Sequence, residues 1–272
     1  MTRLLTTSTL ALVLALPAVA QTDCAAGKTI EEGVLTIATG NPAYYPWVLN
    51  DAPESGEGFE AAVAYALAEE MGFAADQVSW TRTSFDQSIQ PGAKDFDVNL
   101  QQFSITPERA QVVDFSVPYY TSAMAVLTTG AVVEAGAEPT VASLKGLVWG
   151  ADANTTAVPM LTDLIAPERQ PLLYGDNVDV TAAMQAGQID AALFDLPTAL
   201  YLSAVVLNDG VLLGQFPPER SENPDQFGLL MEKGNPLKEC VDAALGALKD
   251  SGRLAEIEAT WLQDATGVPV IE

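Results

Sequence analysis

Apolar residues recur along this chain at two spacings. Between Gly58 and Met71, Phe59, Val63, Leu67 and Met71 return every four positions, the stripe of an amphipathic helix. Short apolar runs bounded by Gly, Pro and Asn predict strands at Gly33–Thr39, Val78–Thr83 and Phe96–Leu100, and again at Leu147–Ala151, Pro171–Tyr174 and Ile189–Phe194. Helical patterns separate the later runs at Thr155–Ile165, Val178–Ala186 and Pro197–Val206. The stretch Pro236–Leu262 is helical too, with Val241, Leu245 and Leu248 on one stripe and a break at Ser251-Gly252. Alternating strands and helices predict an α/β protein with parallel sheets, whose ligands bind at loops beyond the strands' carboxyl ends. Gly130–Thr140 (GAVVEAGAEPT) reads as a loop between two α/β blocks.

The first twenty residues depart from that pattern. Arg3, the apolar run Leu10–Leu16, Pro17 and Ala18-Val19-Ala20 form the three parts of a secretory signal peptide, with cleavage expected after Ala20. The apolar run is too short to span a membrane. Gln21-Thr22-Asp23 before Cys24 lacks the Leu-small-small pattern of lipid attachment, so a soluble, exported product is expected. Export permits disulfides, and Cys24 and Cys240 allow one bridge between the N-terminal tail and a C-terminal helix. Two unconnected thiols are the alternative.

Charge narrows the function. With 12 Lys+Arg against 36 Asp+Glu the net charge is −24, and loss of the leader, which carries Arg3 and no acid, makes it one unit more negative. No basic patch exists to neutralise phosphates, so nucleic acid is not expected as a partner. The acidity itself reads as solubility. The sequence contains no histidine, which excludes a Ser-His-Asp triad and a His-ligated metal. The length suits one large domain or two of ordinary size.

Against that background a cation in an apolar context stands out. In Ser104-Ile105-Thr106-Pro107-Glu108-Arg109, Thr106 is a good helix N-cap and Pro107 suits the first helical position. Arg109 then projects from a first turn, offering two parallel N–H groups to a carboxylate, with Ser104 beside it. A structural ion pair with Asp114 or Glu108 is the competing reading. In the second block, Thr155 and Thr156 follow a strand and open a helix, where free N–H groups favour an anion; simple capping accounts for them equally well. Asp195 ends an apolar strand ahead of Leu196-Pro197, where it either faces a ligand or caps the next helix.

Taken in order, several motifs resemble the periplasmic amino-acid-binding proteins of ABC importers, solute-binding family 3. They are Gly58-Phe59-Glu60, Ile105-Thr106-Pro107-Glu108-Arg109, Val113-Asp114-Phe115-Ser116 followed by Pro118-Tyr119-Tyr120, Lys233-Gly234-Asn235-Pro236-Leu237, and Leu248-Lys249 through Gly252 and Leu254 to Trp261-Leu262. The resemblance runs from Gly33 to Trp261. It implies a type II periplasmic-binding-protein fold: two α/β lobes joined by two hinge strands, near Thr121–Ala125 and Gln215–Pro218. Residues 21–123 and 219–272 would form lobe 1 and residues 124–218 lobe 2, an arrangement that brings Cys24 to Cys240.

The resemblance also implies roles. Arg109 would grip an α-carboxylate, helped by Ser104 and by the helix start at Thr155-Thr156, and Asp195 would take the α-ammonium. Tyr44 and Phe85 would sandwich the side chain, core packing being the alternative for each, and Gln102 would reach the ligand directly. Gly40 stands where basic-amino-acid binders often carry Asp, so a neutral or polar amino acid is expected. The implied protein is a periplasmic monomer without cofactor or metal that delivers its ligand to ABC permease subunits. A cyclohexadienyl dehydratase-like enzyme on the same scaffold is the runner-up, with Asp195 or Glu60 as general acid. A sensory module acting through a receptor is a third class.

Overall fold

The structure, a computed structural model, describes residues 24–220, 224–262 and 267–272; the signal-peptide reading falls outside them. The strands are β1 (Leu35–Thr39), β2 (Val78–Arg82), β3 (Val98–Asn99), β4 (Val113–Phe115), β5 (Tyr120–Ser122), β6 (Met124–Thr129), β7 (Trp149–Asp152), β8 (Leu172–Tyr174), β9 (Ala191–Asp195), β10 (Gly210–Phe216), β11 (Asp225–Phe227) and β12 (Leu230–Glu232). The α-helices are α1 (Phe59–Glu70), α2 (Phe85–Ser88), α3 (Gly130–Glu134), α4 (Val141–Leu144), α5 (Ala157–Met160), α6 (Asn177–Gln185), α7 (Leu196–Tyr201), α8 (Lys238–Asp250) and α9 (Arg253–Trp261).

Two mixed sheets define two lobes. The first has the order β2-β1-β3-β12-β4 and the second β10-β6-β9-β7-β8. Beyond the parallel pairs β1–β2, β1–β3, β7–β8 and β7–β9, returning strands pair antiparallel at β12 and β6. In the first lobe the α1 stripe Phe59, Val63 and Leu67 buries against the sheet together with Val241, Leu245 and Leu248 of α8. The C-terminal helices therefore belong with the first sheet, and Cys24 is bonded to Cys240 of α8.

The second sheet is covered on both faces. Met124 and Val126 of β6 and Ala191 and Leu193 of β9 face one core, while Ala125, Leu127, Ala192 and Phe194 face the other. A strand buried on both sides reads as an unbroken apolar run, which made β9 visible in the sequence; β6 was not anticipated beyond the hinge crossing expected at Thr121–Ala125.

The chain crosses between lobes at Ala123, between β5 and β6, and again after β10; β5 and β11 pair antiparallel at the crossing. The second crossing therefore extends past the expected Gln215–Pro218 to Asp225. Three local expectations change. Gly130–Thr140 opens with α3 instead of being loop throughout, Ala131 and Glu134 suiting a short helix although Val132 and Val133 do not favour one. The helix expected from Thr155 starts at Ala157 and continues as a π-type turn at Leu161–Ile165. Finally, the extreme C-terminus leaves the first lobe. Gln215 N–H donates to Pro269 O (2.8 Å), Ile271 N–H to Gln215 O (3.0 Å), and Val141 N–H to Glu272 O (3.0 Å). Ile271 is buried in the second core, in the space beside Gly214. The apolar Ile271 and these main-chain bonds draw the tail onto β10.

Candidate functional site

A cavity of about 240 Å³ lies between the lobes at the strand ends, and all eight expected ligand residues line it: Tyr44, Phe85, Gln102, Ser104, Arg109, Thr155, Thr156 and Asp195. Their local bonding separates them into different kinds.

Arg109 is held without an acid. Its N–H donates to Thr106 Oγ1 (3.2 Å), the cap that the sequence suggested, although the turn it opens is a 3-10 turn. Its guanidinium donates to Ser104 O (2.9 Å) and, across the cleft, to Asn154 O (2.8 Å), and lies 5.2 Å from the Phe85 ring centre. Asp114, one proposed structural partner, is instead bonded to Lys233 (2.9 Å) and to the Gly234 N–H (2.7 Å). Among the described residues Arg109 forms no ion pair. Carbonyls and an aromatic face orient it, and Asp225 and Asp152 act on its charge without forming an ion pair among the described residues, so N–H groups remain to receive an anion. Phe85 also stacks on Phe103 at 4.7 Å, so it supports the arginine as well as lining the cavity.

The opposite lobe contributes Asp195, which does both of the things its sequence position allowed. It accepts the Thr198 N–H (2.8 Å), capping α7, and it lines the cavity. Burial pushes its carboxyl up to about 7, against the lowering effect of the Thr198 bonds and with a contribution from nearby Asp225. The threonines divide: Thr155 spends its hydroxyl on Asp152 O (2.9 Å), while the Thr156 hydroxyl meets the Ser104 hydroxyl across the cleft (3.2 Å).

Gln102 is not free to reach a ligand with its amide nitrogen. Its backbone has φ 50°, and both its N–H (2.9 Å) and its side-chain Nε2 (2.5 Å) donate to Glu60. Glu60 is buried, also accepts the Tyr119 hydroxyl, and is raised to about 7 by that burial. Gln102, half-buried, thus braces a left-handed backbone at the cavity wall that it also lines. On the facing rim Arg82 donates to Gly40 O (2.8 Å) and to both the side chain (2.5 Å) and the carbonyl (2.6 Å) of Asp51, pinning the loop that carries Tyr44.

Residues not anticipated also line the cavity, notably Trp47, Asp86, Asp152, Asp176 and Asp225. Asp152 ends β7, and Asp176 follows β8 and caps α6. Both obey the rule that singled out Asp195, an acid at a strand's carboxyl end before a helix, so that rule applied throughout would have found them. Burial raises Asp152, and Asp86 and Asp176 raise it further, so these acids share one neighbourhood. Burial also raises Asp225, with Ser104 and Arg109 opposing. No metal-binding group of side chains occurs among the described residues.

Residues 35–264 match the bacterial extracellular solute-binding proteins, family 3, and the chain belongs to that family. It is similar to the L-arginine-binding protein of Pseudomonas aeruginosa, 28% identical over 90% of this chain and 92% of that protein. It is also similar to the L-cystine-binding protein TcyJ of Escherichia coli, 27% identical over 86% of this chain and 84% of that one. Among solved structures it resembles an ancestral amino acid-binding protein, AncCDT-1, described as a precursor of cyclohexadienyl dehydratase. The TM-score is 0.66 at 25% identity, covering 85% of this chain and 96% of that one.

Proposed function

We propose that this protein binds an α-amino acid between its lobes in the periplasm and, as a monomer, delivers it to ABC permease subunits. The observation that carries this reading is that Arg109, which forms no ion pair among the described residues, and the carboxyl of Asp195 enter one cavity from opposite lobes. A zwitterion needs that pair, with its carboxylate at Arg109 and its ammonium at Asp195. Because each end contacts a different lobe, the ligand holds the closed form, and the closed surfaces are what a permease would read. The arginine- and cystine-binding relatives support an amino acid as cargo.

The side-chain class depends on the rest of the wall. Gly40 argues for a neutral or polar side chain, since it replaces a common anchor for a cation. The cavity nevertheless carries Asp86, Asp152 and Asp176 in addition to the acids at the ammonium end, with Arg109 as the cationic side chain in its lining. That excess of negative charge favours a second reading, a cationic side chain anchored at positions other than residue 40. A dehydratase would use Glu60 or Asp195 as acid, both held near neutrality. Glu60, however, is committed to Tyr119 and Gln102, which supports binding over catalysis.

The test is a thermal-shift screen of the refolded, ligand-stripped protein against the twenty amino acids. Stabilisation by a small set of amino acids is expected. Arginine or lysine above glutamine selects the cationic class, and the reverse selects the polar one. No shift with any amino acid, together with turnover of prephenate or arogenate, would overturn the proposal.

A further inference from the structure

Trp47 lies in the first lobe between β1 and α1, is 1% exposed, and packs edge-on against Phe59, Tyr120 and Phe227, each at 5.8 Å. Phenylalanine would keep the apolar contacts without filling the whole space. An indole adds one polar atom, which can only donate, and a buried donor needs an acceptor. Trp47 Nε1–H finds it across the cleft: it donates to Thr198 Oγ1 of α7 at 2.8 Å.

A hydroxyl has a single proton. Since Trp47 cannot accept, Thr198 must accept from it and direct its own proton elsewhere. Thr198 N–H donates to Asp195 Oδ1 at 2.8 Å, which sets the hydroxyl beside that carboxyl. The indole bond therefore ties the first lobe to the residue of the second lobe that braces Asp195.

We infer that Trp47 is a positioning residue, a latch made on lobe closure that fixes the Thr198 side chain beside Asp195 and leaves the outer lone pairs of that carboxylate aimed into the cavity. The inference rests on the reading of Asp195 as the ammonium site. It deepens that reading by coupling closure to the aim of the acid. Opening the lobes breaks the bond and frees the hydroxyl to turn, so the latch acts on ligand release more than on capture.

Two measurements on the whole mature protein test this. The first reads the bond without any ligand. The sequence has four tryptophans, so the indole N–H region of a ¹⁵N spectrum carries four signals, and Trp47→Phe identifies one by its loss. Thr198→Val should move that signal and speed its exchange with water, and Asp195→Asn should move it through the hydroxyl. The second uses the amino acid giving the largest thermal shift. Trp47→Phe should weaken binding about fivefold, as loss of one hydrogen bond does, mainly through faster dissociation. The double variant with Thr198→Val should be no weaker than Thr198→Val alone, and Thr198→Ser should recover affinity. An indole signal indifferent to Thr198→Val overturns the latch whatever the ligand is. So does unchanged affinity in Trp47→Phe, or losses that multiply in the double variant. Silence of all amino acids with an intact indole response would overturn the ammonium reading of Asp195 and leave the Trp47–Thr198 bond standing.

Discussion

At the scale of single residues, charge is placed by contrast. Arg109 is presented by carbonyls and by Phe85, with no ion pair among the described residues, whereas Glu60 and Asp195 are carboxyls that burial raises to about 7. Two opposite pH dependences follow. To hold an ammonium, Asp195 must be ionised, so affinity should fall as pH drops below 7, by roughly tenfold per unit for one coupled proton. Titrations at pH 5.5 and 8 check this, and Asp195→Asn should remove most of the slope. For the ligand-free protein the sign reverses. A carboxyl whose folded value is raised binds its proton more tightly when folded, so its contribution is present below the unfolded value and is lost as pH rises through about 7. Ligand-free melts should therefore be higher at pH 5.5 than at pH 8, a direction that the net charge of −24 reinforces. Of these residues, Arg109 was legible because a scarce cation beside an apolar run asks for a reason. Glu60 and Gln102 were singled out too, but the bonds between them were not legible, because the positive φ of Gln102 goes with a tertiary contact that no local pattern encodes.

At the scale of elements, the site is built from strand ends and the turns that follow them. Asp195 closes β9 and caps α7, Asp176 follows β8 and caps α6, and Asp152 closes β7. Strands β7 and β9 were readable as apolar runs, whereas β6 was not distinguished from the hinge crossing expected at Thr121–Ala125. Short pieces such as α3, and the tail on β10, were not, since their state depends on what they dock against. Gly58 shows how closely the first-lobe loop is fitted. At φ 106°, a Cβ there would stand 2.5 Å from Trp47 O and 2.7 Å from Val48 Cα. Trp47 O in turn accepts the N–H groups of Glu60 (3.0 Å) and Ala61 (3.3 Å) at the start of α1. Gly58→Ala should therefore cost about 1–3 kcal/mol in denaturant unfolding and should also weaken binding, because Trp47 and Glu60 move together. A surface alanine exchange on α9 should do neither.

At the scale of the whole molecule, two lobes share one cleft and the chain ties them in more than one place. The Cys24–Cys240 bridge closes a span of 216 residues inside the first core and does not line the cavity. Chain entropy assigns such a loop roughly 4–5 kcal/mol, so Cys24→Ser with Cys240→Ser should lower the melting temperature by about 10 °C while affinity changes little. Across the cleft, Ser104 meets Thr156, Arg109 meets the Asn154 carbonyl and Tyr45 packs on Tyr201 at 5.5 Å. The two-lobed architecture and its site were legible as ordered motifs. Which side chains touch across the gap was not, since those pairs lie far apart in sequence and meet only on closure.

The most direct test of the central claim, that Arg109 holds the carboxylate of a zwitterion, is a calorimetric comparison of the best amino acid with its α-carboxamide on the native protein and on Arg109→Ala. A charge-assisted pair is worth about 1.5–3 kcal/mol, so the native protein should bind the amide at least roughly tenfold more weakly. In Arg109→Ala the acid and the amide should bind alike. A native protein that does not distinguish them, or a variant that still does, would contradict the account.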